Sequence, residues 1–258
     1  MTTRSGACLC GAVAFEADGP LREVIACHCT QCRRTSGHFW AATSVPLDRF
    51  RLVRDDGLAW FRSSQAARRG FCRRCGASLF WAPEGDARMS FAAGALDGPT
   101  GLRIGAYWHG EDAGDYYAPE GPPPPPDRDP PAELHATCLC RACRFTLPGP
   151  AGDITACHCR QCRKLSGHYS ASFDANEAAV AWQARAGLAD YATPGGGRRG
   201  FCTGCGSSLW FRAADGAFSI EAGGIEGRAG GRLSGHTLVA DKGDWYDIAD
   251  GLPQAAAW

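Results

Sequence analysis

Short runs of aromatic and branched side chains, broken every few residues by glycine or proline, set the rhythm of this chain. Phe50 to Val53, Leu58 to Arg62, Ser78 to Trp81 and Phe218 to Ile220 read as strands. No segment carries the 3.6-residue period of a long amphipathic helix. Cys32-Arg33-Arg34-Thr35-Ser36-Gly37 fits one helical turn closed by glycine. Trp40, Trp60, Phe71, Phe80 and Trp81 are expected in a core. Pro194-Gly195-Gly196-Gly197 lacks the Lys-Ser/Thr ending of a phosphate loop and reads as a hairpin tip. The fold class is therefore mainly β.

The pattern occurs twice. Adding 130 to Cys8, Cys10, Cys27, Cys29, Cys32, Cys72 and Cys75 gives Cys138, Cys140, Cys157, Cys159, Cys162, Cys202 and Cys205. Ser36-Gly37-His38 returns as Ser166-Gly167-His168, and Arg69-Gly70-Phe71 as Arg199-Gly200-Phe201. Past Trp81 the register slips by one, so that Asp115-Tyr116-Tyr117 meets Asp244-Trp245-Tyr246. Two copies of one unit, residues 1–119 and 132–258, are expected to flank a proline-rich linker over 120–131. Pro122 to Pro126 favours polyproline II, a semi-rigid spacer that either separates the units or braces them.

Charge narrows the function classes. The 27 basic and 27 acidic side chains cancel, which argues against bulk electrostatic binding of nucleic acid or an anionic membrane. By region, 1–119 carries 14 basic and 12 acidic residues, and 132–258 carries 12 of each. No apolar run spans a bilayer and Met1 to Cys10 has no secretory apolar core, so a cytoplasmic protein with reduced thiols is expected.

Reduced cysteines at these spacings point to zinc, because paired thiolates on tight turns deliver two ligands at a time. Cys27-His28-Cys29-x-x-Cys32 is compact enough to hold one metal alone, and Cys157, Cys159 and Cys162 repeat it. Cys8 and Cys10 with Cys72 and Cys75, and Cys138 and Cys140 with Cys202 and Cys205, would then staple the ends of each unit. Four ligands close a structural site, whereas three leave a position open for chemistry. The spacing also permits a zinc ribbon made of Cys29/Cys32 and Cys72/Cys75, and His28 and His158 are alternative ligands. Cys143 stands where the first copy has Val13 and reads as a buried apolar substitute.

Gly6 to Val13, Cys27 to Gly37 and Arg69 to Gly76, repeated from Cys138, Cys157 and Arg199, resemble the motifs of the glutathione-dependent formaldehyde-activating enzyme family, and centromere protein V is similar. The resemblance implies two β-tent domains, each with a structural four-cysteine zinc and a three-cysteine zinc of catalytic type, up to four zincs in all. It also implies a carbon–sulfur lyase or synthase that joins glutathione and an aldehyde such as formaldehyde into S-hydroxymethylglutathione. Two departures stand out. Arg141 replaces Gly11, and Tyr107 stands where the second copy has His236.

The small-molecule partners are then a thiol and an aldehyde. Arg33, Arg34, Arg163 and Lys164 beside the ligands, with Arg68, Arg69, Arg198 and Arg199, are candidates to bind glutathione carboxylates or else solvated turns beside anionic centres. His38 and His168 are candidate proton shuttles or structural histidines. The rival function is a non-enzymatic, zinc-stabilised module that binds protein or nucleic acid, for which Arg73 and Arg74 supply local charge. A third arrangement makes one unit active and the other a scaffold.

Overall fold

A computed structural model describes residues 2–257. The first copy runs through β1 (Thr3–Ala7), β2 (Ala14–Asp18), β3 (Val24–Cys27), helix α1 (Thr30–Ser36), β4 (Trp40–Pro46), β5 (Phe50–Arg54), β6 (Leu58–Arg62), β7 (Ala67–Cys72), β8 (Ser78–Pro83), β9 (Arg88–Ala92) and β10 (Ile104–Trp108). The second repeats it as β11 (Glu133–Thr137), β12 (Cys143–Pro148), β13 (Asp153–Cys157), α2 (Arg160–Ser166), β14 (Ser170–Asp174), β15 (Ala181–Arg185), β16 (Leu188–Ala192), β17 (Arg198–Cys202), β18 (Ser208–Arg212), β19 (Phe218–Glu221) and β20 (Arg232–Thr237). Each copy folds β1-β2-β5, or β11-β12-β15, into a small antiparallel sheet. The larger sheet has the order β10-β3-β4-β9-β8-β7-β6, matched by β20-β13-β14-β19-β18-β17-β16, and only its β10–β3 and β20–β13 pairs are parallel.

Alternation in β2 turns Phe15 and Ala17 inward from the small sheet. Phe15 meets Phe80 and Phe91 of the large sheet with ring centroids 5.4 and 5.0 Å apart, which forms the first core. Phe145 and Leu147 play the same part in the second. The runs expected as strands are strands, the expected helical turn lies within α1, and residues 193–197 link β16 to β17 as a hairpin loop. No helix is long and apolar enough to cross a membrane among the described residues.

Sequence periodicity gives no sign of the way the copies hold each other. The end of α1 packs on the turn Ala222–Gly224, and the end of α2 on the turn Ala93–Ala95. Gly223 N–H donates to Gly37 O at 2.7 Å, and Gly94 N–H donates to Gly167 O at 2.8 Å. A Cβ on Gly94 would lie 2.3 Å from Arg163 O, and one on Gly223 would lie 2.5 Å from Arg33 O, so only glycine permits the approach. The tails also cross over. Leu233 N–H donates to Tyr116 O at 2.8 Å and Ile104 N–H to Trp245 O at 3.0 Å, so each tail covers an edge strand of the other copy. Asp115 accepts from the amides of Ala229 and Gly230, and Asp244 from the amides of Thr100 and Gly101 and the Thr100 hydroxyl. The proline-rich segment follows the same path: Pro123 is buried, Asp127 pairs with Arg228, and Pro130 and Pro131 lie against Gly230.

Partial burial raises the Asp244 carboxyl, but the amides of Gly101 and Thr100 and the Thr100 hydroxyl outweigh it and hold the group below its ordinary value. A depressed carboxylate stabilises the fold above its unfolded pKa of about 3.9 and loses that contribution as pH falls through the folded value. Asp244→Ala is therefore expected to lower unfolding stability by about 1–2 kcal/mol at pH 7. Urea unfolding at pH 7 and at pH 3 should show the gap from wild type closing in acid.

Candidate metal centres and the cleft beside them

Cys8 and Cys10 lie on the turn between β1 and β2, Cys72 ends β7, and Cys75 lies on the turn between β7 and β8. Sulfurs 62 residues apart in sequence thereby converge: Cys8 lies 3.6 Å from Cys10, and Cys10 lies 3.7 Å from Cys72. The second copy repeats this with 3.6 Å from Cys138 to Cys140 and 3.6 Å from Cys140 to Cys202. Four sulfurs at about 2.3 Å from one tetrahedral metal would stand about 3.8 Å apart. Disulfide sulfurs would stand about 2.05 Å apart. Every cysteine is a free thiol. The donor set and its spacing fit zinc. Backbone amides support the ligands: Val13 N–H donates to Cys8 Sγ at 3.3 Å, and Cys143 N–H to Cys138 Sγ at 3.2 Å. Cys143 is fully buried in the second core, and the adjoining Cys138 pushes its thiol up to about 12. Arg141 adopts φ 66°, close to the 75° of Gly11, a left-handed turn that costs a side-chain-bearing residue about 1–2 kcal/mol.

The remaining six ligand candidates form two clusters of three. Cys27 ends β3, Cys29 caps α1, and Cys32 lies in its first turn; their sulfurs all fall within 4.8 Å of one another, as do those of Cys157, Cys159 and Cys162. Thus the cysteines group as four and three in each copy. The Cys29 sulfur accepts from Cys32 N–H at 3.5 Å and the Cys159 sulfur from Cys162 N–H at 3.4 Å. Hydrogen bonds from Cys27 and Cys32 hold the Cys29 thiol down to about 2, and Cys157 and Cys162 do the same for Cys159. Buried arginines add a further donor to the deepest sulfur. Arg69 reaches Cys32 Sγ at 3.4 Å, and Arg199 reaches Cys162 Sγ at 3.0 Å.

The cationic side chains next to the ligands in sequence have other partners. Arg33 donates to Asp112 O at 2.8 Å, Arg34 pairs with Glu226 of the other copy at 3.0 Å, and Arg163 reaches Leu96 O at 3.4 Å. Lys164, only 1% exposed, donates to Asp97, Ala95 O and Ala7 O across the interface. His38 and His168 are buried in an aromatic cluster between the copies, where His38 Nδ1 bonds the Tyr116 hydroxyl at 2.8 Å and Trp245 Nε1 donates to His168 Nδ1 at 3.2 Å. His28 and His158 point away from the ligands to Tyr117 and Tyr246, at 2.8 and 2.7 Å. Burial lowers these two histidines to about 4 and about 3, which keeps them neutral. His236 extends the second chain of bonds, 2.9 Å from His158 and 2.8 Å from Asp250.

A cleft of about 610 Å³ opens beside Cys27, Cys29 and Cys32. Trp40, Trp81 and Trp108 form apolar walls; Arg22, Arg69 and Arg88 supply positive charge, and Asp86 and Asp112 are its acids. Arg22 and Arg88 carry no local motif. Comparison of the copies is the signal that finds them, because Gly152 and Ala217 occupy the matching places.

Fully loaded protein is expected to hold four zincs per chain by elemental analysis. Cys29→Ser should remove one without loss of cooperative unfolding. Cys72→Ser should remove one and unfold its copy, since a structural zinc contributes on the order of 10 kcal/mol.

Comparison with known proteins follows the same division. The model of the family described as glutathione-dependent formaldehyde-activating enzyme matches residues 3–108 and again 133–236. No curated protein matches the chain. A crystal structure of a Rhodobacter sphaeroides protein is similar at 24% identity over 40% of this chain and 98% of its own, with a TM-score of 0.34.

Proposed function

The chain belongs to the glutathione-dependent formaldehyde-activating enzyme family, and we propose that it is a zinc-dependent carbon–sulfur lyase or synthase acting on a thiol–aldehyde adduct such as S-hydroxymethylglutathione. The observation that carries this reading is a cluster of three thiols, not four, bordering a cleft of substrate size. Cys27, Cys29 and Cys32 would hold the ion in the first copy, and Cys157, Cys159 and Cys162 in the second. Zinc bound there would lower the pKa of a small thiol and so favour its thiolate at neutral pH.

The chain's own residues do the rest. Arg69 donates to Cys32 and Arg199 to Cys162, which tempers the negative charge of three thiolates and keeps the ligands fixed. Trp40, Trp81 and Trp108 give the first cleft apolar walls. In the synthase direction the thiol sulfur bonds to the aldehyde carbon, and the carbonyl oxygen takes up from solvent a proton equal to the one the thiol lost on binding and becomes a hydroxyl; the lyase direction reverses both. Arg34, Arg163 and Lys164 serve the interface in this proposal, Arg33 ties α1 to Asp112 of its own copy, and His38 and His168 support the aromatic cluster. Reduced, free thiols suit a cytoplasmic setting.

Exchange between ¹³C-formaldehyde, glutathione and their adduct can be followed by NMR exchange spectroscopy. Metal-loaded protein should accelerate it, chelation should abolish the acceleration, and Cys27→Ser combined with Cys157→Ser should remove at least nine-tenths of it. Unaltered exchange with fully metallated protein would refute the reading.

A further inference from the structure

The two copies share their metal ligands, yet the walls around the three-cysteine clusters have diverged. Strand registers fix the equivalent positions. Cys27 pairs with Trp40 and Trp108 in the first copy, whereas Cys157 pairs with Ser170 and Thr237. Arg69 pairs with Trp81 but Arg199 with Phe211, and Ala42 pairs with Ala92 but Ser172 with Glu221. Arg22, Ser44 and Arg88 correspond to Gly152, Asp174 and Ala217.

Charge diverges with shape. The first cleft is lined by three arginines (Arg22, Arg69 and Arg88) and two aspartates, Asp86 and Asp112. At the same places the second copy has Arg160, standing for Thr30, and Arg199, against Asp174, Asp215 and Asp241. Glu221 further neutralises Arg199 through a buried contact of 3.4 Å, and the first copy has only Ala92 there.

Arg22 and Arg88 are fixed to one face of β4. Arg22 donates to Ala42 O at 3.0 Å, and Arg88 donates to the hydroxyl and the carbonyl of Ser44 at 3.0 and 2.9 Å. Carbonyls two residues apart on a strand point the same way and lie about 6.6 Å from each other. The Arg88 charge opposes that of Arg22 and Asp86 offsets it in part, and Arg22 Nε is buried without a partner. Such a pair is poised for an anion, and a carboxylate is the anion that matches guanidinium geometry.

We propose that Arg22 and Arg88 form a carboxylate-binding site in the first copy's cleft, so that this copy takes a carboxylate-bearing thiol or its adduct and the second copy does not. The assignment rests on the thiol–aldehyde reading for its ligand class, but its test is binding and not turnover. S-methylglutathione, whose sulfur is blocked, and its diethyl ester are titrated by calorimetry into zinc-loaded full-length protein. One molecule of the free acid should bind per chain. Arg22→Gln with Arg88→Gln should weaken it about 10- to 100-fold, the range expected for lost charge-assisted hydrogen bonds. The ester should bind weakly to wild type and lose little more in the double variant. Arg160→Gln in the second copy should bind like wild type. Zinc content and circular dichroism establish that the variants fold, and Arg88→Lys should restore part of the affinity in an otherwise wild-type cleft.

Equal affinity for acid and ester, unchanged affinity in the double variant, or two acid molecules per chain would each overturn the proposal. The two readings fail separately. Carboxylate-dependent binding without any exchange of formaldehyde leaves this site standing and removes the lyase. Accelerated exchange with an unaltered KM for glutathione in the double variant does the reverse.

Discussion

The three-cysteine centres depend on a close backbone approach between copies. Gly223 N–H reaches Gly37 O, and Gly94 N–H reaches Gly167 O, at the C-terminal ends of the helices whose first turns carry Cys32 and Cys162. A seven-residue helix has too few internal bonds to hold its own position in water. The other copy supplies the missing anchor by satisfying its terminal carbonyl, and glycine at both donor positions is the steric condition for doing so. The crossed tails and buried Lys164 reinforce the same contact from the sides.

That dependence reassigns much of the polar chemistry. Cationic residues directly after zinc ligands look like substrate binders when read along the chain. In three dimensions the far side of each short helix is an interface, so Arg34 meets Glu226 and Lys164 meets Asp97. The histidines follow the same logic. His38 and His168 lie where Tyr116, Tyr117, Tyr169, Trp245 and Tyr246 converge, and burial holds both well below their ordinary pKa. A group kept neutral among aromatic rings serves packing better than proton transfer.

The cysteine arithmetic made the duplication and the β-rich character readable, because ligand spacing and strand rhythm are local properties. The grouping into four and three was the leading reading of the spacing, but choosing it over a ribbon of Cys29/Cys32 with Cys72/Cys75 needed the fold, since Cys8 and Cys72 meet only after β1 and β7 have been placed. The interface was not legible: Gly94 and Gly223 look like ordinary turn glycines until a carbonyl of the other copy stands against them. Arg22 and Arg88 were hidden for a different reason. They lie 66 residues apart, one before β3 and one in β9, and only β4 between them brings their guanidiniums together. Their absence from the second copy is present in the sequence, but it gains meaning only once both positions line one cleft.

Joining the copies in one chain is what allows them to differ. In a symmetric dimer the same side chain would face both cap glycines. Here Trp40 and Ala92 pack over Gly167, while Glu221 and its partner Ser170 fill the matching space over Gly37. The large residue has moved from one strand to its neighbour and the small one has moved the other way, which conserves volume while it exchanges an indole for a carboxylate. Because each pair touches the other copy's helix end, the divergence is not private to one site. Glu221 neutralises Arg199 beside Cys162 and also lies against Gly37, the cap of the helix that carries Cys32. Trp40 lines the first cleft and also packs on the cap of the helix that carries Cys162. The wall that shapes one centre is thus part of the support of the other, and neither copy is a free-standing version of its twin.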